Sequence, residues 1–392
     1  MRSSLSHAFV ISRSTTTTDD SAGARYTFAG AAATITAMNE RLHRITKALE
    51  EADRQLVGAL NARAKAIQQY RALRSEAGDE PLRLPKKAAV ISAARALANE
   101  FPAVNIEPVF REVLSACTEL ITPDVVAYFG SPGGPAHAAA REYFGHAPSF
   151  RPTESVREAL DAVLHGHATF AVVPLETSTD GAITATLTGL VATDAKLCAE
   201  RSAPLRYQLL SQSGDPAHVV KVYGAAPAMA ACERQLRSRY PDAIFVDVQS
   251  GEAAAHFALA DDQAAAVGTG LLRELHELRV IDDRIEDDSG VRTRFGIVGD
   301  RLPSRTGQDR TILAMAPGDE PGALHRALQP LADRKINLTR IESRPSPTTD
   351  WQHVFFLELD GHITDRDVLT AVEELRRIAR HAKVIGSYPR PA

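Results

Sequence analysis

The sequence predicts a multidomain protein: an all-α N-terminal domain, an α/β middle domain and a small α+β C-terminal domain. Three observations carry this. Apolar residues recur at helical spacing from Met38 to about Ala77, strand-like and helix-like segments alternate from Val125 to about Arg301, and the remainder reads βαββαβ. At 392 residues the chain exceeds one ordinary core. The expected boundaries are a disordered extension over 1–37, then domains over 38–122, 125–304 and 308–392.

The extension is rich in Ser, Thr and Arg, as transit peptides are, but "DDSAG" argues against that reading, and Met38 is an alternative start. Leu42, Ile45, Leu49, Ala52, Leu56, Leu60, Ile67, Tyr70 and Leu73 then mark one helix, interrupted only by Gly58. Some 35 helical residues span roughly 50 Å. Such a stripe needs other helices to cover it, including those of a second chain, so a homodimer or tetramer is expected. "GDEPLRLP" ends the helix. A second helix carries Val90, Ala93 and Leu97, and a third carries Val109, Phe110, Val113, Leu114, Cys117 and Leu120.

In the middle domain, strands are expected at 125–129, 170–173, 206–211, 218–222, 243–246, 265–267 and 294–298, with helices at 136–144, 155–164, 229–238 and 253–259. Ligands of such sheets sit beyond the carboxyl ends of strands. Both "GSPGGPAH" and "PLETSTDG" occupy that position. "LPSRTGQD" is a polar linker. Strands at 311–316, 337–343, 352–359 and 383–388, with helices at 321–334 and 365–380, give the ferredoxin-like order.

A net charge of −4 excludes the basic footprint of a nucleic-acid binder. No apolar run is long enough for a membrane span. Cys117, Cys198 and Cys232 are widely spaced and odd in number, as in reduced cytoplasmic proteins, and Cys198 and Cys232 read as small core residues. His165 and His167 lack partners at metal spacing, and Gly133-Gly134 fits neither dinucleotide nor nucleotide-phosphate patterns. No metal or cofactor is expected. The acidic run Glu286-Asp287-Asp288 reads as a solvated turn.

The tail "PGALHRALQPLADRKINLTRIESRP…WQHVFFLELDGH…IGSYPR" resembles the ACT domain of prephenate dehydratases. The resemblance implies a phenylalanine-binding seam between two ACT domains, built from Gly322, Ala323, Leu324, Glu342, Ser343, Arg344 and Pro345. Glu342 would hold the ammonium group. The middle domain resembles the dehydratase catalytic region, a fold of periplasmic-binding-protein type, most clearly at "RIEDDSGVRTRFGIV". This implies Thr293 as the catalytic hydroxyl, supported by Arg294, Glu176, Thr177 and Ser178, with Phe295 and His137 at the substrate. Thr177 stands where the family usually has asparagine, and Pro135 and Ala136 replace an aromatic and a hydroxyl residue. The helical block resembles a chorismate mutase domain, with Arg63, Arg74 and Lys87 at or near its cationic positions.

The whole is similar to the bifunctional chorismate mutase/prephenate dehydratase family. The implied reaction converts prephenate to phenylpyruvate, water and carbon dioxide, with L-phenylalanine as effector. Chorismate would be a second substrate only if the degenerate mutase domain retained activity. Two other readings stand beside this one: a catalytically silent phenylalanine sensor, and a prephenate enzyme with a different product.

Overall fold

The computed structural model describes residues 23–76, 87–121, 123–345 and 353–391. The chain divides into two compact units, Met1–Gln69 and Tyr70–Ala392. Helix α1 (Gly23–Glu76) begins well before Met38, so part of the segment expected to be disordered is helical. Ala31, Ala32 and Ala33 favour this, and no proline interrupts the run. Residues 1–22 lie outside the described ones, as does the break at 77–86.

The second unit opens with α2 (Lys87–Ala96) and α3 (Ile106–Glu119). A first lobe follows: β1 (Val125–Phe129), α4 (Pro135–Phe144), β2 (Ser149–Thr153), α5 (Val156–Leu164), β3 (Phe170–Thr177), β4 (Gly181–Ala182), α6 (Thr184–Ala192) and β5 (Lys196–Pro204). The chain then crosses to a second lobe. This comprises β6 (Gln208–Ser211), β7 (Lys221–Ala225), α7 (Ala226–Arg239), β8 (Ile244–Val248), α8 (Gly251–Ala260), β9 (Ala264–Gly268), α9 (Gly270–His276) and β10 (Arg279–Asp283). It returns as β11 (Arg292–Gly299), between β5 and β3. Two lobes crossed twice by the chain form the periplasmic-binding-protein arrangement. Serine and threonine hydroxyls start three of these helices: Ser155, Ser250 and Thr269 each accept a backbone N–H of the first turn.

The C-terminal domain is β12 (Asp309–Ala316), α10 (Ala323–Asp333), β13 (Leu338–Pro345), β14 (His353–Asp360), α11 (Arg366–Ile378) and β15 (His381–Pro389). Its four strands extend the first lobe's sheet, in the order β13-β14-β12-β15-β5-β11-β3-β1-β2, with β4 attached to β3. The second lobe has its own sheet, β10-β6-β9-β7-β8. The junction is one parallel bridge, Gly386 to Leu197. A Cβ on Gly386 would lie 2.6 Å from the Leu197 backbone oxygen, so only glycine permits the approach. Below it one core runs through both domains, joining Ala171, Val173 and Leu197 to Ile312, Phe356 and Tyr388.

The sequence reading omits β2, β4, β5 and β10, and helices α6 and α9. Strand β5 carries Glu200, Arg201 and Ser202 where an interior strand would be apolar; its neighbours supply charge partners instead. The acidic run is not a solvated turn. Glu286 is 5% exposed, pairs with Arg206 at 2.9 Å and accepts the Tyr207 N–H. Asp287 accepts two N–H groups of α7, from Arg234 and Gln235, and donates its own to Ala231.

Candidate active site

Strand β11 decides the site, because successive side chains on a strand point to opposite faces. Thr293 and Phe295 face a cleft of about 300 Å³ between the two lobes. Thr293 is 7% exposed, with its backbone locked between Thr177 of β3 and Ala203 of β5. Helix α4 supplies Ala138, Arg141 and Glu142 to the same cleft, at spacings that share one helix face. The crossing after β5 supplies Arg206, and α9 supplies Glu274.

The cleft's carboxylates are neutralised from outside it. Glu142 pairs with Arg201 at 3.4 Å and Glu274 with Arg273 at 3.7 Å. Arg206 is tied to Glu286. Arg141 lies 5.6 Å over the Phe150 ring, and its buried Nε has no protein partner among the described residues. The cleft therefore holds a buried hydroxyl beside a cation little compensated by acid, as an anionic substrate requires. Sequence reading missed Arg141 and Arg206. The period of α4 was the available signal for the first; nothing local marks the second.

His137 does not line the cleft. Its ring stacks on Tyr128 at 4.3 Å, and its Nδ1 accepts the Gly133 N–H at 3.2 Å. Burial, with a smaller contribution from the Arg141 charge, pushes its pKa down to about 4, so the ring is neutral near pH 7. Thr177 and Ser178 are used in the turn after β3. Thr177 Oγ1 accepts the Asp180 N–H at 2.9 Å and donates to its carboxylate, while Ser178 Oγ accepts the Arg292 N–H. The Cys198 and Cys232 thiols are each pushed up to about 12, chiefly by burial, which keeps them protonated near pH 7.

Arg294 and Glu176, expected beside Thr293, face the other way. Arg294 binds Glu358 of β14, with Glu200 at 3.4 Å and Glu176 at 3.6 Å. Arg310 binds Glu200 at 2.5 Å, and Tyr388 donates to the same carboxylate at 3.0 Å. Arg340 of β13 joins Glu176 to Glu342, and Arg344 also holds Glu342. Four arginines and four glutamates thus balance across the contact between β3, β5 and β11 and the C-terminal domain.

The expected effector residues do not make one pocket within a single chain. Gly322 caps α10 at φ 79°, and Ala323 and Leu324 pack in the helix layer. Glu342 and Arg344 occupy the opposite sheet face, towards β3 and β4, while Ser343 and Pro345 are exposed. Of the expected mutase residues, Arg63 is half-buried on α1. Arg74 and Lys87 fall on α1 and α2, but their side chains lie outside the described ones.

A two-lobed α/β domain with a hydroxyl and cations in its cleft, joined by an ionic network to a βαββαβ domain, defines an enzyme of anionic substrates with an attached regulatory module. Comparison with known proteins gives the family. Residues 45–121 match the chorismate mutase type II model, 126–302 the prephenate dehydratase model and 310–377 the ACT domain model. The bifunctional chorismate mutase/prephenate dehydratase of Aquifex aeolicus is 32% identical over 357 residues, covering 90% of this chain and 98% of that protein. The Pseudomonas aeruginosa protein of the same description is 32% identical over 359 residues, with the same coverage. A solved prephenate dehydratase from Arthrobacter aurescens, in complex with L-Phe, superposes with a TM-score of 0.61 at 32% identity, covering 68% of this chain and 90% of that one. The chain belongs to the bifunctional chorismate mutase/prephenate dehydratase family.

Proposed function

We propose that the cleft binds prephenate and that Thr293 promotes its conversion to phenylpyruvate. The ring carboxylate leaves as carbon dioxide, its bonding electrons enter the ring, and the ring C–O bond breaks as the ring becomes aromatic. The departing oxygen takes up one proton from solvent and leaves as water. Threonine is a weak acid, so Thr293 acts through a fixed hydrogen bond to that oxygen while Arg141 holds a carboxylate. The carrying observation is the Thr293 hydroxyl in a cleft that retains cations. This favours an enzyme over a silent sensor or an altered product. The test is prephenate added to the purified full chain: phenylpyruvate is expected to form faster than it does spontaneously, and an unaccelerated rate overturns the reading.

L-Phenylalanine is proposed to act through the ACT domain. Glu342 is the carboxylate for its ammonium group, and Arg340 links Glu342 to Glu176 on β3. Effector binding would redistribute that shared cation beside the strand paired with Thr293, provided that phenylalanine prefers one arrangement. Glu342→Ala is expected to raise the half-inhibiting phenylalanine concentration about tenfold or more, the scale of a charged hydrogen bond. Unchanged inhibition would remove Glu342 from the effector site.

The helical segment is proposed as a dimerisation scaffold with weak or lost mutase activity. Leu42, Ile45, Leu49 and Leu56 are each at least half exposed along α1, at spacings suited to a seam with a second copy. Leu49→Asp is expected to shift the protein towards monomer in sedimentation equilibrium, and an unmoved mass would sink the assignment. Among the described residues no helix is long and apolar enough to cross a membrane. The free thiols support a cytoplasmic location, which cell fractionation would check.

A further inference from the structure

The dehydratase cleft is not lined by the dehydratase domain alone. Arg111 also lines it, and this residue lies on α3, within the stretch that matches the chorismate mutase model rather than the dehydratase model. Helix α3 is fixed to the first lobe at the turn after α4. Glu112 accepts the His146 N–H at 3.0 Å and meets its ring Nδ1 at 2.9 Å. Ser115, one turn on, accepts the Ala147 N–H at 3.3 Å. Gly145, at φ 83°, lets this turn approach: a Cβ there would lie 2.6 Å from the Ser115 side chain.

Residues 112 and 115 share the docking face of α3, and Arg111 stands about 100° around the helix from Glu112. That brings it to the cleft wall alongside Arg141 and Glu142. Its side chain is 27% exposed, and its ion pair is a 3.4 Å contact with a Glu112 carboxylate that His146 also occupies. Arg206, by contrast, is committed to a buried glutamate. Arg111 and Arg141 are thus the cleft cations with the least acid compensation. A substrate bearing two carboxylates needs two such groups.

We infer that Arg111 is a substrate-binding residue of the dehydratase cleft, supplied by the mutase-type segment to hold the second carboxylate of a dicarboxylic substrate. The inference rests on the prephenate reading above and names a residue for it. It also gives α3 a role that survives loss of mutase chemistry.

The test measures prephenate binding calorimetrically to the full-length Thr293→Ala protein, with and without Arg111→Gln, beside steady-state kinetics of Arg111→Gln and Arg111→Lys alone. Removing a charged hydrogen bond is expected to weaken binding about tenfold or more and to raise KM by a similar factor. Unlike a merely structural lesion, it should leave kcat within about threefold. Lysine, which keeps the charge without the planar fork, should recover part of the loss. Binding and KM unchanged in Arg111→Gln overturn the inference, as does a fall in kcat alone. Binding that depends on Arg111 without turnover by the wild-type chain would uphold the inference and refute the dehydratase reading. Absence of binding to the Thr293→Ala protein together with no turnover by the wild-type chain refutes both.

Discussion

Thr293→Ala is expected to lower kcat for prephenate by about 10²–10³-fold, the usual cost of removing one fixed hydrogen-bond donor from developing negative charge. KM should move little, because the cleft's cations remain. The fold should survive, since the strand is held through its backbone to β3 and β5. Thr293→Ser keeps a hydroxyl but loses the β-branch that restricts its rotamer, so it should recover part of the rate. The measurement is phenylpyruvate absorbance in steady state. A Thr293→Ala enzyme within tenfold of wild type would show that the hydroxyl is not the donor, and the search would move to other groups on the cleft wall.

The second large effect concerns the residue beside it. Arg294→Ala is expected to destabilise the second unit by up to about 3–5 kcal/mol, because it leaves two buried carboxylates sharing the single guanidinium of Arg310. Those carboxylates are Glu200 and Glu358, whose side chains are 2% and 8% exposed. Arg294→Lys should recover little, since an ammonium cannot serve several carboxylates through a planar fork. Adding Glu358→Gln to Arg294→Ala should recover part of the loss, because Arg310 then has one buried carboxylate to balance instead of two. Urea unfolding checks this, and a loss below about 1 kcal/mol would mean that water replaces the guanidinium without penalty.

These two neighbours also show what the sequence carried and what it did not. The helical segment, the α/β alternation and the βαββαβ order were legible because their periods are local. Thr293 was singled out through its family motif, and the fold places it on the cleft wall. The assignment of Arg294 and Glu176 to the same pocket failed because a motif lists adjacent letters, whereas a strand separates them to opposite faces. Strand alternation alone would have parted Thr293 from Arg294. Arg111, Arg141 and Arg206 come from three elements that meet only in the folded chain, so no local pattern joins them. Strand β5 was missed for a related reason: its Glu200 is satisfied by Arg294 and Arg310, from strands nearly a hundred or more residues away.

The single bridge between Gly386 and Leu197 has a consequence for how such a chain can diversify. Sensor and catalyst are not beads on a string here, because cutting the C-terminal portion away would bare a raw strand edge and half of a common interior. Deleting the C-terminal portion is therefore expected to cost this chain its fold along with its regulation. An effector-insensitive variant that keeps the joined sheet whole is better sought among point changes.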